Sequence, residues 1–457
     1  MIVLSLKSIF KSLLLSFFVF SVISCSEDES TPIDETDDGQ QLETEFNLDF
    51  VKTLGGNNVD DAVSVVEASD GSYMILATTE STSGDVTGKT TTDKDLWLVN
   101  VSKEGAIISD RTYGGSKDDI AKSMRKTPDG GYIISAQSRS DDGDVSNNEG
   151  FFDFWIVKIN SSGTIQWETS FGFLGSDQVF DVIPTKDGGY FATGVLDVSA
   201  SNGQGNAGKS ANHSGGDYWG IKMNASGALQ WSRYYGGSFT DTAHRVIETS
   251  TGDFIIIGFS DSTDFDISNN IGAYDFWVIK VSATGDLIWE KTFGGSEIDI
   301  AYGITETNDN GYLIVGDTRS SDQDVSEANG NADTWVAKIS AEGLLIWQKS
   351  IGGSEFDSAR SIFAMADGNF AIGGNTRSAN GDVEANKGQN DAWVIIIDEN
   401  GTLQQQLTFG GSSLDFGNDI IQTTDNSLLL VGNTESNDLD IETNKGIKDL
   451  LIIKLKQ

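Results

Sequence analysis

Hydrophobic positions along this chain follow a strand pattern that repeats. Short runs of alternating or continuous apolar residues, rich in β-branched and aromatic side chains, lie between clusters of Gly, Asp and Ser. In one copy of the pattern these runs predict strands at 118–127, 132–138, 153–160 and 164–171. No segment has a convincing helical period. Each copy therefore predicts four antiparallel strands joined by tight turns.

Independent markers place seven copies of this unit in one phase. The spacing is 58 residues in most steps and 64 in the step from Trp155 to Trp219. One marker is an aromatic register, at Trp97, Trp155, Trp219, Trp277, Trp335 and Trp393, with Leu451 in the last copy. A second is a Gly-Gly pair beginning at Gly55, Gly114, Gly172, Gly236, Gly294, Gly352 and Gly410. Repeats of this length, with four strands each, predict an all-β fold, a seven-bladed β-propeller.

The two ends of the repeat region predict how the ring closes. The seventh copy stops after its third strand. The segment 46–53 has the character of a fourth strand, because Phe50 lies five residues before Gly55, as Trp231 lies five residues before Gly236. We expect this N-terminal strand to complete the last blade, which would pair both free sheet edges. The propeller is predicted to occupy residues 46–457.

Composition narrows the classes of partner. The formal net charge is −39, which repels nucleic-acid phosphates and anionic membranes, so we expect no nucleic-acid partner. A single Cys excludes an intrachain disulfide framework and a Cys-based zinc site. The ten Trp occupy two repeat registers, which favours packing between blades over a sugar-binding platform, although the pattern allows both. We expect a monomer.

The first residues have the features of an export signal. Two Lys precede an apolar run from Leu13 to Ile23, and residues 22–25 read Val-Ile-Ser-Cys. This resembles a bacterial lipobox, which implies a signal peptide at 1–24 and lipid attachment at Cys25; a buried Cys in an ordinary signal peptide is the alternative. Residues 26–30 resemble the acidic export signal of surface lipoproteins, and 25–45 is expected to be an acidic flexible tether. The expected location is the outer membrane, exposed at the cell surface or facing the periplasm.

Acidic residues recur in fixed registers. One Asp opens each unit and a second precedes each Trp of the first register, so both are expected to serve the blade structure. The loop before the second Asp carries two more acids in several copies, and hard oxygen ligands on a loop suit Ca²⁺. Asx-turns are the alternative. The candidate calcium ligands are Asp142, Asp144, Asp153, Asp264, Asp266, Asp275, Asp322, Asp324 and Asp333.

The asymmetric features lie near the third and fourth copies. The third copy is six residues longer, and its loop 199–216 carries His213. The other His, His244, is followed by Arg245 and lies close to Tyr234 in the sequence. Because loops on a rigid scaffold often carry function, these four residues are candidate ligand-binding groups.

No catalytic motif is present, and no catalytic residue is assigned. The chain lacks Gly-x-Ser-x-Gly, His-Glu-x-x-His and a P-loop, and it has only two His. Abundant carboxylates leave a carbohydrate-active enzyme, a glycoside hydrolase or lyase, as the alternative. The leading expectation is a non-enzymatic binding or scaffold module for a glycan or a protein.

The recurring signatures Gly-Gly-Ser-x-x-Asp, Asp-Gly-Gly-Tyr and Asp-x-Trp-[Ile/Val]-x-Lys resemble those of propeller-repeat lipoproteins of the Bacteroidetes, over residues 46–457. The resemblance implies a propeller and a surface lipoprotein, and it implies little about activity. Such chains are sometimes grouped with bulb-type lectins. Only residues 367–371 approach the mannose motif of those lectins, and Gly373 stands where the closing Tyr would be, so no lectin site is assigned.

Overall fold

A computed structural model describes residues 45–206 and 213–457. The predicted signal peptide, the lipid-attachment residue Cys25 and all but the last residue of the predicted tether lie outside the described residues. Residues 45–457 form one compact unit. No helix that the structure describes is long and apolar enough to cross a membrane.

The described residues form seven antiparallel sheets of four strands each. The first strand of the chain is β1 (Asn47–Leu54). Blade 1 contains β2 (Asp60–Glu67), β3 (Tyr73–Thr79), β4 (Asp95–Val101) and β5 (Ile107–Tyr113); blade 2 contains β6 (Asp119–Lys126), β7 (Tyr132–Ser138), β8 (Asp153–Ile159) and β9 (Ile165–Phe171). Blade 3 contains β10 (Gln178–Pro184), β11 (Tyr190–Asp197), β12 (Gly216–Met223) and β13 (Leu229–Tyr235); blade 4 contains β14 (Asp241–Glu248), β15 (Phe254–Ser260), β16 (Asp275–Val281) and β17 (Leu287–Phe293). Blade 5 contains β18 (Asp299–Glu306), β19 (Tyr312–Thr318), β20 (Asp333–Ile339) and β21 (Leu345–Ile351); blade 6 contains β22 (Asp357–Ala364), β23 (Phe370–Thr376), β24 (Asp391–Ile397) and β25 (Leu403–Phe409). Blade 7 contains β26 (Asp415–Gln422), β27 (Leu428–Thr434), β28 (Asp449–Lys456) and, from the start of the propeller, β1.

Ring closure follows the prediction. Strand β1 pairs antiparallel with β28, and Asn47 lies opposite Lys456 while Leu54 lies opposite Leu450. The seven-bladed, four-stranded, all-β fold is confirmed. Within residues 45–206 and 213–457, the one departure is a single helical turn, α1 (Val198–Ser201), in the longer loop of blade 3, where the Asp197 side chain accepts a hydrogen bond from Ala200 N.

The apolar core lies between neighbouring blades. Trp155 is fully buried in a cluster that joins Leu76 of blade 1 to Val157 of blade 2, and similar clusters lie between the other blades. Its ring nitrogen donates to Glu168 Oε2 at 3.0 Å on the next strand. The second Trp register is half-buried, and Trp231 donates to the backbone oxygen of Ala283 in the turn of the next blade at 3.0 Å. Both registers therefore pack blade against blade.

The first strand of each blade is the innermost, and adjacent inner strands contact each other around the ring. The ring encloses a central channel with two open ends. We call the end where the Gly-Gly turns lie the Gly-Gly face, because each inner strand starts there. We call the other end the hairpin face, because the turns that join the first and second strands of each blade lie there.

We expect a chain that starts at residue 55, and so lacks β1, to lose much of its stability. Without β1 the edge of β28 is unpaired, and an unpaired edge exposes backbone groups and promotes aggregation. The melting temperature, measured by circular dichroism, should fall by roughly 10 °C or more relative to a chain that starts at residue 45. Equal melting temperatures for the two chains would contradict the closure by β1.

Candidate functional site

Each inner strand contains a β-bulge at the same place. In blade 5, Ala301 lies opposite Gly316 and Gly303 lies opposite Val315, so Tyr302 between them has no partner on the second strand. A bulge of this kind re-aims one side chain and is common beside functional sites. The equivalent residues in the seven blades, which we call the bulge ring, are Val63, Lys122, Phe180, His244, Tyr302, Arg360 and Asn418.

All seven residues of the bulge ring line one cavity at the mouth of the channel on the Gly-Gly face. The cavity has a volume of about 490 Å³. Its other lining residues are Arg245, Phe416, Asn433 and Lys448. The seven ring positions carry seven different residue types, so the sevenfold repeat is fully broken at the mouth.

Five consecutive members of the ring form a row of stacked side chains. The Lys122 ammonium lies 5.3 Å from the centre of the Phe180 ring, and that ring meets the His244 ring edge-on at 5.2 Å. The His244 and Tyr302 rings are stacked, with centres 4.8 Å apart, and the Arg360 guanidinium lies 4.0 Å from the Tyr302 centre. The row therefore runs from one cation to another through three rings, and each end gains a cation–π contact.

Burial and positive neighbours set the protonation of this row. Burial lowers the pKa of His244 to about 4, with a further lowering by the charges of Arg360, Arg245 and Lys122. Burial, with the charge of Lys94, lowers the pKa of Lys122 to about 8. His244 is thus neutral at pH 7, and its Nδ1 donates a hydrogen bond to Ala301 O at 2.8 Å. Its Nε2 is left as an acceptor.

Two of the four basic residues of the mouth form ion pairs with carboxylates, and two do not. Lys448 Nζ lies 3.1 Å from Asp61 Oδ1, and Arg245 Nη1 lies 3.7 Å from Asp181 Oδ1. Within the parts of the chain that the structure describes, neither Lys122 nor Arg360 has a carboxylate within ion-pair distance. These two cations are therefore the ones available to an incoming ligand.

The residue after each bulge lies deeper in the channel and in several blades bonds to the next blade. Asp181 Oδ2 accepts a hydrogen bond from Val246 N at 3.2 Å, and Asp419 Oδ2 accepts one from Val65 N at 3.0 Å. Asp181 also pairs with Arg125 at 3.0 Å. Beyond this level a second cavity of about 680 Å³, with largely apolar walls, opens on the hairpin face. Arg245 lines both cavities.

The four candidate ligand-binding residues fall into two separate groups. His244 and Arg245 line the channel mouth. His213 instead lies beside Tyr234 and Phe265, with ring centres 5.3 and 4.6 Å away, and its Nδ1 is 2.5 Å from Asp217 Oδ2.

The His213 side chain makes a hydrogen bond to the buried Asp of its blade that other blades make with a backbone N–H group. In blade 5 the equivalent acid, Asp333, accepts a hydrogen bond from the N–H of Asn329, four residues earlier, at 2.5 Å. His213 occupies that same position relative to Asp217 and supplies its side chain instead. Burial lowers the pKa of His213, but the hydrogen bond and charge of Asp217 outweigh it and the net pKa is raised. This gives His213 a structural partner inside the fold.

The candidate calcium ligands serve loop and turn contacts. In blade 4, Asp264 Oδ1 accepts from Ser238 N at 2.9 Å and Asp266 Oδ2 from Gly236 N at 3.4 Å. Asp142 and Asp144, like Asp322 and Asp324, accept the equivalent N–H groups in their own blades. No group of three or more acidic, His or Cys side chains among the described residues is arranged to hold a metal ion. Calcium binding stays a prediction.

The last acid of each loop is buried beside the acid that opens the next blade. Asp275 and Asp299 both approach Gly294, where an added Cβ would lie 2.3 Å from Asp275 Oδ1, so this position requires glycine. Asp299 in turn accepts a hydrogen bond from Gly295 N at 2.7 Å. Burial, with the charge of Asp299, raises the pKa of Asp275 to about 6. Equivalent carboxylate pairs lie at the other blade junctions, and Asp153 and Asp333 are members of them.

Most of the bulge ring was not identified from the sequence. Two residues after the opening Asp, five of the seven copies have Ala, as at Ala301. One residue later the copies all differ, as at Lys122, Tyr302 and Arg360. A fully variable register inside an otherwise regular strand is the signal that could have located the site.

Comparisons with known proteins find only distant structural likenesses. No protein-family description matches the chain, and no curated protein matches it. The Neurospora crassa Pan2 WD40 domain is similar in structure, with a TM-score of 0.47 and 8% identity over 88% of this chain and 95% of that domain. A fungal alcohol oxidase has a TM-score of 0.46 at 10% identity, covering 90% of this chain and 76% of that one. Puromycin hydrolase has a TM-score of 0.45 at 10% identity, covering 82% and 50%. Likenesses this distant carry no information on function.

The buried carboxylate pairs predict that stability falls as the pH rises from about 4 to about 6. Burial, with the charge of Asp415, raises the pKa of Asp391 to about 6 from an ordinary value of 3.8, so the folded state holds the proton more tightly than the unfolded state. The resulting stabilisation is full below about pH 3.8 and is lost as the pH rises through about 6. Asp391→Asn should therefore raise stability at about pH 7, by on the order of 2 kcal/mol, and should flatten the change between about pH 4 and about pH 7.

Thermal melts of both proteins at the two pH values measure this effect. Glu399→Gln, which removes an exposed carboxylate in a turn, is the matched control and should leave the pH dependence unchanged. An Asp391→Asn protein that is destabilised equally at both pH values would contradict the interpretation.

Proposed function

We propose that the propeller is a non-enzymatic binding module that holds its ligand in the channel mouth on the Gly-Gly face. The observation that carries this proposal is the bulge ring. Seven structurally equivalent positions, which the blade fold leaves free to vary, present seven different side chains to one cavity. All seven side chains line the same cavity, so their diversity is available to a single ligand.

The size and chemistry of the mouth support binding of a small group. Its volume of about 490 Å³ is within the range of small-molecule sites. Its lining combines aromatic rings with cationic and amide groups, which can fix the orientation of a ligand. A glycan chain end or a protruding part of a protein fits this space.

The carboxylates needed for glycoside hydrolysis are engaged elsewhere. Such hydrolases place two carboxyl groups on either side of the scissile bond. The residues that line the mouth include no Asp or Glu among those the structure describes. The nearby Asp181 and Asp419 accept hydrogen bonds from the backbone of neighbouring blades. These contacts favour binding over catalysis.

The proposal includes a location at the membrane surface. The apolar segment before Cys25, with its resemblance to a lipobox, supports an outer-membrane lipid anchor. The acidic residues between Cys25 and the propeller support an extended tether, because like charges repel. We propose that the tether holds the propeller at the cell surface, with the periplasmic face as the alternative.

A screen of the chain 45–457 against glycan and protein arrays tests the binding function. Any ligand found there should lose affinity by roughly tenfold or more when Phe180→Ala or Tyr302→Ala shortens the wall of the mouth. Phe239→Ala is the matched control, since Phe239 is 59% exposed and is not a lining residue of the mouth. Ligands whose affinity is unchanged by both ring variants, or new reducing ends released from a polysaccharide, would contradict the proposal.

The anchor has a separate test in the full-length protein. Cys25→Ala should move the protein from the membrane fraction to the soluble fraction, because the thiol is the proposed site of acylation. Cys25→Ser, a more conservative change that also removes the thiol, should behave in the same way. Membrane retention of both variants would contradict lipid attachment at Cys25.

A further inference from the structure

We infer that the channel mouth binds an acidic sugar at the end of a glycan, with its carboxylate or sulfate group held between Lys122 and Arg360, while Arg245, which is paired with Asp181, lines the mouth between them. This inference rests on the proposed binding function and names the chemical class of its ligand. It is carried by the placement of these cations, by the covering of the aromatic faces and by the excess of hydrogen-bond donors in the mouth.

The three cations surround the channel rather than lying on one side. Lys122 comes from blade 2, Arg245 from blade 4 and Arg360 from blade 6, and all three line the mouth. Blades 2, 4 and 6 are separated from each other by one intervening blade, or by two on the remaining side. An anion on the channel axis is therefore approached from two sides by the charges of Lys122 and Arg360. The charge of Arg245, one residue deeper in its strand than the bulge ring, is shared with Asp181 3.7 Å away.

Such a convergence of bases is unusual for this chain. Acidic residues outnumber Lys and Arg by 69 to 30. Yet the residues that line the mouth include four Lys or Arg and, among those the structure describes, no carboxylate. Asp317, whose charge acts on Arg360, is 2% exposed and accepts a hydrogen bond from Ser358 Oγ at 2.7 Å. Asp61 and Asp181 offset Lys448 and Arg245, so Lys122 and Arg360 are the two cations of the mouth that favour an anion, although the whole protein is strongly negative.

The aromatic rings of the mouth are not arranged as a stacking platform. His244 is stacked against one face of the Tyr302 ring, and the Arg360 guanidinium lies close to the same ring. Lys122 lies over Phe180. Arg360 also contacts the Tyr302 hydroxyl, so these contacts leave mainly ring edges for the ligand. Aromatic edges carry partial positive charge, so they too favour a negatively charged group over a neutral one.

The hydrogen-bonding groups of the mouth favour a glycan over a peptide. Lys and Arg side chains are donors without acceptor capacity. The two amides at the edge of the mouth are already bonded to Ala62, since Asn433 Oδ1 accepts from its N–H at 2.6 Å and Asn418 Nδ2 donates to its oxygen at 2.8 Å. A buried peptide would bring N–H donors that find few partners here. An acidic sugar brings carboxylate or sulfate oxygens that only accept, and hydroxyl groups that can rotate to accept as well as donate.

Isothermal titration of the chain 45–457 with defined tetrasaccharides tests this inference. The probes are tetragalacturonic acid, its methyl ester, a κ-carrageenan tetrasaccharide that carries only sulfate groups, and a tetraglutamate peptide. We expect one or both acidic tetrasaccharides to bind, and the uncharged methyl ester to bind at least roughly tenfold more weakly than the free acid. The comparison of the two acidic tetrasaccharides shows whether the mouth binds a carboxylate or a sulfate group.

Variants connect that affinity to the mouth. Lys122→Met and Arg360→Met each remove a cation and keep an apolar stem, and each should weaken binding of the acidic sugar by roughly tenfold or more. Lys103→Met, at an exposed turn residue, is the control and should bind like the parent protein. Unchanged melting temperatures show that the variants are folded. If Arg360→Met is unstable, the affinity of Lys122→Met for the acidic sugar tests the inference on its own.

The outcomes separate this inference from the proposed function. Tighter binding of the methyl ester than the acid, or of tetraglutamate than either acidic tetrasaccharide, would overturn the acidic-glycan assignment while binding in the mouth stands. Binding of neither acidic tetrasaccharide, when ligands from the array screen still depend on Phe180 and Tyr302, would overturn it in the same way. If those ligands are also independent of the mouth, the proposed function fails as well.

Discussion

The backbone groups on the inner edge of every sheet must find hydrogen-bond partners, and the rest of this structure depends on that constraint. The first strand of each blade has no strand neighbour on its channel side, so its backbone groups need other partners. Side chains from the preceding blade supply several of them, as when Val182 N donates to Ser123 Oγ and Val65 N donates to Asp419 Oδ2. The bulge makes this possible, because it aims one residue into the channel and the next towards the adjacent blade. The β-bulge that allows these hydrogen bonds between blades therefore also creates the bulge ring.

This arrangement divides the chain into parts that repeat and parts that do not. The repeated acids, such as Asp299, hold the Gly-Gly turns and the blade junctions, and their burial makes them structural rather than chemical groups. His213 belongs with them, because it satisfies Asp217 where other blades use a backbone N–H. The non-repeated groups lie on the channel, where side-chain identity is free of the demands of blade packing. Binding can thus evolve at the mouth without disturbing the ring.

The sequence predicted the fold almost completely because its signals are periodic. Trp155 and its equivalents, the Gly pairs and the strand at 46–53 each mark a position that every blade must fill in the same way. The mouth could be predicted only in part. His244 was identified because His is rare in this chain, whereas Lys122 and Arg360 are ordinary residues in sequence. A bulge is a property of two paired strands, so the common direction of these side chains becomes visible only when the pairing and the ring closure are known. The one-turn helix α1 lies in an insertion that has no counterpart in other copies, so no period could indicate it.

Disulfide trapping across β1 and β28 tests the closed ring most directly. Asn47 and Lys456 lie opposite each other in this pairing, and both are exposed. In the chain 45–457, Asn47→Cys with Lys456→Cys should form an intramolecular disulfide under mild oxidation and remain a folded monomer. Asn47→Cys with Lys126→Cys, which joins positions in different blades, should stay reduced. A 47/456 pair that stays reduced, or that links only separate molecules, would contradict the closed ring and with it the common mouth formed by the seven bulge residues.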